Sequence, residues 1–244
     1  LENRVMSVIT STTVLPANRR DVSFITSDGY ELVGELALPH DHRPMATALF
    51  LHPLPTAGGF MDSHVIRKAS WRLPALADIA VLRFNFRGVS SPRGTSGGTF
   101  GEGVSEGLDL VAALDFVHAE GLPTPWLIGW SFGTEVILKH ARPLADRISG
   151  VILLSPPLHR TTPADLATWS DATIPMAALV PEFDEFLTPE QARVGFAPAP
   201  GIEVVAAEGA KHLWVGEKHT KWVLDQIAMR LNPPTYPLPT SFDS

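Results

Sequence analysis

Ser131 lies in the run Gly129-Trp130-Ser131-Phe132-Gly133, preceded by the apolar stretch 125–128 and followed by a helical pattern over 134–141. Strand, Gly-x-Ser-x-Gly, helix is the arrangement of a nucleophile elbow, a turn so sharp that the serine stands clear of both elements. The glycines have a steric reason: strand and helix backbones approach closely beside the serine, and glycine has no Cβ to collide. At the helix start, free backbone N–H groups face any oxyanion that forms there. The chemistry such a serine could do is attack on a carbonyl.

A serine hydroxyl is a poor nucleophile near neutral pH. It needs a base within hydrogen-bond reach, and the base needs an acid to orient it. Of the nine histidines, His212 is the one downstream of the serine that falls in a loop between a strand and a helix, in Glu208-Gly209-Ala210-Lys211-His212-Leu213-Trp214. His219 falls inside the last helical pattern and is expected to be solvated. The loop after residue 180 offers three carboxylates, Glu182, Asp184 and Glu185. Asp184 is favoured for the orienting role because Phe183 and Phe186 could bury and fix it; Glu182 and Glu185 are expected to be solvated rim charges. The resulting chain order is Ser131, Asp184, His212.

An oxyanion hole needs backbone N–H donors. One is expected from Phe132. The second is expected from the loop His52-Pro53-Leu54-Pro55-Thr56-Ala57-Gly58-Gly59, where the prolines lack an N–H and Leu54 is the donor left between them. His52 is expected to hold this loop through its ring nitrogens. Leu54, Phe60, Met61, Trp130, Phe132, Leu158, Phe183 and Trp214 cluster in the same set of loops, and Trp130, Phe60 and Trp214 are the candidates for substrate contact. Arg87, Arg93 and Lys211 could meet an acidic substrate, though solvated charge is the favoured reading.

These side chains need a scaffold. Residues 21–25 and 31–38 read as a hairpin around Ser27-Asp28-Gly29. Short apolar runs at 47–51, 80–84, 125–128, 150–154, 175–180 and 202–206 suit strands buried on both faces of a parallel sheet. Helical stripes fall between them: 64–77, where Pro74 should kink or end the helix early; 102–119, with Leu108, Val111, Ala112, Asp115 and Phe116 toward its inner face; 134–141; and 216–231. The alternation predicts an α/β fold, a mostly parallel central sheet with helices on both faces, with all strand C-termini on one edge. Residues 21–231 are expected to form one domain, with an N-terminal extension over 1–20 and a Pro-rich tail over 232–244. Leu1 to Val5 are left out of the fold argument. Between residues 155 and 174 there is room for one short helix at most, so no large cap is expected and the site should be open.

The chain of 244 residues is 45% hydrophobic and 18% charged, enough for a substantial core. A net charge of −7 argues against a nucleic-acid partner. With no cysteine there is no disulfide, thiolate zinc site or cysteine nucleophile. No apolar run approaches the ~20 residues of a membrane span, and the first eighteen residues lack the pattern of a signal peptide. The expectation is a cytoplasmic protein with no metal or cofactor.

Four stretches together resemble the α/β-hydrolase superfamily: Leu51-His52-Pro53-Leu54 with Gly58-Gly59, Arg83-Phe84-Asn85-Phe86-Arg87-Gly88-Val89, the run around Ser131, and Asp184 with His212. The second is similar to a segment of small, lidless serine hydrolases related to dienelactone hydrolases and to prolyl oligopeptidase catalytic domains. Dienelactone hydrolases proper use a cysteine nucleophile, which sets this chain apart. The resemblance implies a Ser131–His212–Asp184 triad, an oxyanion hole of two N–H groups, no cofactor, and hydrolysis of an ester, thioester or amide. A small-molecule ester is the expected substrate. A peptidase or acyltransferase on the same fold, or a non-catalytic binding protein that keeps the scaffold, are the alternatives. The acyl group, the leaving group and the oligomeric state are left open by the sequence.

Overall fold

In a computed structural model, residues 5–243 are described; residues 1–4, at the start of the extension, and Ser244, at the end of the tail, lie outside them. Eight strands form the central sheet: β1 (Asn18–Ile25), β2 (Glu31–Leu38), β3 (Ala46–Leu51), β4 (Ile79–Phe84), β5 (Pro125–Trp130), β6 (Gly150–Leu154), β7 (Met176–Pro181) and β8 (Ile202–Ala207). Their spatial order is β1-β2-β4-β3-β5-β6-β7-β8. β2 runs antiparallel to β1 and β4; every other pairing is parallel.

The strands are apolar on both faces because helices cover both. Alternation with period two sends Leu49 and Leu51 of β3 to one side and Ala48 and Phe50 to the other. On the first side they meet α2 (Glu106–Ala119) and α3 (Phe132–His140), through Leu110, Val117, Val136 and Ile137. On the second they meet α1 (His64–Ala77) and the last helix, Glu217–Leu231, through Val65, Leu73, Val223 and Ile227. The helix after β3 and the helix after β5 thus lie on opposite faces. The crevice between the ends of these two neighbouring strands is where ligands bind in open α/β sheets.

Two expectations about helices are corrected. Helix α1 does not end early at Pro74; it continues to Ala77. The proline falls in the last turn, and the Ser70 carbonyl that it leaves without an intrahelical donor accepts from Arg19 Nη2 at 2.9 Å. Helix α2 starts at Glu106, not 102, and its inner face is the expected one only in part: Ala112 is buried and Phe116 packs against the core. Leu108 and Asp115 are exposed, whereas Glu106 and Asp109 are fully buried. Glu106 accepts from the N–H groups of Gly101 and Gly103 at 2.7 and 2.9 Å. Asp109 pairs with Arg87 at 2.8 Å.

Between β6 and β7 there is a single short helix, α4 (Pro163–Ala167), closed by a reciprocal capping box between Thr162 and Asp165. A second short helix, α5 (Pro189–Gly195), precedes β8, and the helix over Glu217–Leu231 is α6. The termini pair with each other: Met6–Val8 runs antiparallel to Ser241–Asp243, and Leu238 of the tail is buried. No helix among the described residues is long and apolar enough to cross a membrane.

Candidate active site

Ser131 sits between the end of β5 and the start of α3 with φ 52° and ψ −112°. A positive φ is unfavourable for a residue with a Cβ, at about 1–3 kcal/mol, and persists only where the surroundings enforce it. Here they do. A Cβ at Gly129 would lie 2.6 Å from the Gly133 carbonyl carbon, and one at Gly133 would lie 2.1 Å from the Leu51 carbonyl oxygen. Strand, turn and neighbouring strand close on one another around the serine. The Ser131 N–H donates to the Leu154 carbonyl at 2.8 Å, and its carbonyl accepts from Thr134 Oγ1 at 2.6 Å.

The loop after β8 brings His212 to the serine: Nε2 lies 2.9 Å from Ser131 Oγ. On the other side of the ring, Nδ1 lies 2.9 Å from Asp184 Oδ2, in the loop after β7. An ionised Asp184 is acceptor only, so Nδ1 carries the proton and Nε2 is free to accept from the serine hydroxyl. The second carboxylate oxygen accepts from the Phe186 N–H at 2.9 Å. All three side chains are buried or nearly so. The main chain of His212 is tied as well: its carbonyl accepts from Trp130 Nε1 at 3.2 Å and from Ser155 Oγ at 3.0 Å. The Phe186 ring meets the imidazole edge-on, with centroids 4.6 Å apart.

Two backbone N–H groups complete the arrangement. Those of Leu54 and Phe132 donate to no protein group among the described residues. Phe132 is the first residue of α3, whose early N–H groups have no partner within the helix. Leu54 shares a trans peptide unit with the Pro53 carbonyl, which accepts from His52 Nδ1 at 2.7 Å. Fixing the carbonyl fixes the N–H on the opposite side of the same plane. His52 is held in turn by the Phe86 N–H, which donates to its Nε2 at 3.0 Å. Burial pushes the His52 ring down to about 4, so it is neutral, with one nitrogen donating and the other accepting.

The sequence profile of the alpha/beta hydrolase family matches residues 48–240, a span that runs from β3 into the tail and includes every residue of this constellation. The chain belongs to the alpha/beta hydrolase family.

Among solved members of the fold, it is similar to a serine hydrolase without lid from Xanthomonas campestris. The two share 28% identity over 90% of this chain and 97% of the other, at a TM-score of 0.71. An alpha-beta serine hydrolase homologue from Coxiella burnetii is 25% identical over 90% of this chain and all of the other, also at 0.71. An uncharacterized protein of Rickettsia prowazekii is 30% identical over 148 residues. The chain spans about 60% of the length of that curated relative.

In this alpha/beta hydrolase a cavity of about 320 Å³ opens above Ser131 and His212. Leu54, Phe132, Phe186 and Leu213 supply apolar walls, and Glu135 and Arg160 supply charge. The three aromatic candidates for substrate contact lie elsewhere. Trp130 is buried beneath the histidine loop, and Trp214 is fully buried and stacked on Trp222 at 5.7 Å. Phe60 packs half-buried against the core. Trp130 stands next to Ser131 in sequence and Trp214 two residues after His212, but both rings pack inward. Met61 is likewise fully buried, and Phe183 faces solvent, so of the two phenylalanines near Asp184 it is Phe186 that meets the His212 ring. Arg87 is not solvated: it is buried between Asp28 and Asp109. Arg93 pairs with Asp21 and Glu35, and Lys211 is exposed.

Sequence reasoning passed over Glu135, Pro157, His159, Arg160 and Leu213 as cavity residues. A signal existed for Glu135. It stands four residues after Ser131 on a helix, one turn along the same face.

Proposed function

We propose that this chain is a serine hydrolase that cleaves a carboxylic ester or thioester through an acyl-enzyme on Ser131. The hydrogen-bonded series Ser131–His212–Asp184, with the serine held at positive φ, is the observation that carries the reading. The lidless serine hydrolase of Xanthomonas campestris supports it.

His212 Nε2 takes the Ser131 proton as Oγ attacks the carbonyl carbon. Asp184 keeps the proton of the imidazolium on Nδ1 and offsets its charge. The carbonyl oxygen, now anionic, lies between the N–H groups of Leu54 and Phe132, where the start of α3 adds a favourable dipole. His212 then gives its proton to the departing alcohol or thiol as the carbon–oxygen or carbon–sulfur bond breaks. A water molecule, deprotonated by the same nitrogen, attacks the acyl-serine. The second tetrahedral intermediate expels Oγ, which regains its proton, and the acid is released.

The test is turnover of p-nitrophenyl esters of rising acyl length together with labelling by a fluorophosphonate. Wild type is expected to hydrolyse short and medium chains and to take up one label. Ser131→Ala should lose the label and on the order of 10⁴-fold or more in rate, with its circular dichroism intact. Hydrolysis that persists in Ser131→Ala, or a wild type that neither turns over nor labels, overturns the reading.

A further inference from the structure

Glu135 is the one fully buried side chain of the cavity wall that carries a charge and has a hydrogen-bonding atom left over. Its Oε1 accepts from the backbone N–H groups of Arg160 and Thr161. Its Oε2 is buried and makes no hydrogen bond to any described residue. The nearest cation, Arg160 Nη1, is 3.9 Å from it, beyond hydrogen-bond reach. A buried carboxylate oxygen without a donor is costly, on the order of 1–3 kcal/mol or more, and calls for an explanation. Its surroundings are not slack. Lys139 Nζ, one turn further along α3, donates to the Arg160 carbonyl at 3.0 Å, so α3 grips the Arg160 backbone from both sides. The Arg160 guanidinium is drawn away toward Glu102, at 3.1 Å, and lies over the Phe132 ring at 5.6 Å. Among the described residues Arg160 Nη1 is the nearest donor to the remaining oxygen, and Glu135 lines the cavity.

We infer that Glu135 is a specificity residue that accepts a hydrogen bond from a hydroxyl group on the acyl part of the substrate. The inference rests on the serine-hydrolase reading above. The side of the substrate follows from the proton path. The leaving group must stay beside His212, where Phe186 and Leu213 form the wall. The acyl group remains attached to Ser131 and is left the wall made by α3, where Phe132 and Glu135 stand. The neutrality of the donor follows from charge. With Arg160 Nη1 already 3.9 Å from Oε2, an ammonium group would have to sit against a guanidinium, whereas a hydroxyl meets no such repulsion. The substrate class is therefore hydroxyacyl esters.

The test needs no variant to begin. Methyl hexanoate, its 2-, 3-, 5- and 6-hydroxy derivatives and the corresponding 3- and 6-amino esters are compared by pH-stat titration. At least one hydroxy ester is expected to exceed the plain ester in kcat/KM by about tenfold, the effect of a hydrogen bond to a charged acceptor. Neither amino ester should do so. Glu135→Gln keeps an oxygen for the Arg160 and Thr161 N–H groups but puts a donor where Oε2 was. In that variant the hydroxyl can only accept from a neutral amide, and the hydroxy-to-plain ratio should fall severalfold. Fluorophosphonate labelling of each protein separates the two readings, because a protein that labels at Ser131 keeps its nucleophile whatever its preference. Labelling with no hydroxy preference, an amino preference, or an undiminished ratio in Glu135→Gln overturns the assignment of Glu135 alone.

Discussion

At the scale of single residues, the candidate site works by denying its members alternatives. His212 has its ring fixed at both nitrogens and its carbonyl fixed twice. Asp184→Asn would keep the shape but could present an N–H to Nδ1 and favour the wrong tautomer. We expect kcat to fall on the order of 10⁴-fold, with an unchanged melting temperature, in stopped or continuous ester assays. His52 is a second fixed ring, and its effect is on stability as well as geometry. Burial lowers it from 6.5 to about 4. Between these values the unfolded chain binds a proton that the folded one refuses, so folding weakens as pH falls from 6.5 toward 4. Asp109, which burial pushes up to about 6 against its bonds from Arg87, acts in the opposite sense over much the same window. The His52 contribution is therefore read as a difference. The stability advantage of wild type over His52→Gln should shrink by about 2–3 kcal/mol between pH 7 and pH 4.5 in urea titrations. A constant difference would show that His52 is not buried neutral.

The juxtaposition of Ser131, His212 and Asp184 was legible in the sequence because their types and chain order have few other uses: a serine between glycines, and a histidine and an aspartate in loops after strands. The aromatics were not. Trp130 and Trp214 are large apolar side chains, and nothing in their spacing distinguishes a ring that faces a cavity from one that lies beneath a loop.

At the scale of elements, the sheet was readable strand by strand, since runs such as Gly150–Leu154 are apolar throughout and of strand length. Helix α2 was readable as a helix, but its start and part of its inner face were not, for a reason specific to it. Its inward face carries Glu106 and Asp109, which an apolar stripe cannot reveal. Asp109 receives three hydrogen bonds from Arg87, from its backbone N–H, Nε and Nη2, at 2.8–2.9 Å. Arg87 in turn reaches Asp28 in the β1–β2 turn. One arginine thus joins the hairpin turn, the loop after β4 and α2. Asp109→Ala would leave the guanidinium buried with one partner that is partly exposed. We expect a loss of about 3–5 kcal/mol, seen as a lower urea midpoint. A change below 1 kcal/mol would mean that the arginine escapes to water.

At the scale of the whole molecule, the two ends of the described chain are joined by a ribbon of three residues from each side. Strands that short carry no periodic signal; the sequence marks the tail only as Pro-rich. The tail does more. Leu238 is buried against the core beneath α1 and α6, and its N–H donates to Asp225 at 2.9 Å. No described tail residue lines the cavity above Ser131. Removal of the residues after Asn232 should therefore lower the melting temperature by several degrees, as about 1–2 kcal/mol from one buried leucine implies. Fluorophosphonate uptake should stay intact at low temperature. Loss of uptake under conditions where the shortened chain is folded would show coupling from the tail to the site.

The short passage from β6 to β7, with its single five-residue helix, has a consequence for the fate of an acyl-enzyme. A covalent acyl-serine under a closed cap can be reserved for a chosen acceptor. One at the floor of an uncapped crevice faces bulk solvent throughout its lifetime, and its acceptors compete by concentration. Water, the most abundant, takes nearly all of it unless an alcohol is supplied in large excess. If the chain forms the proposed acyl-enzyme, this open crevice steers the partition of the intermediate toward the free acid, before any residue of the cavity expresses a preference.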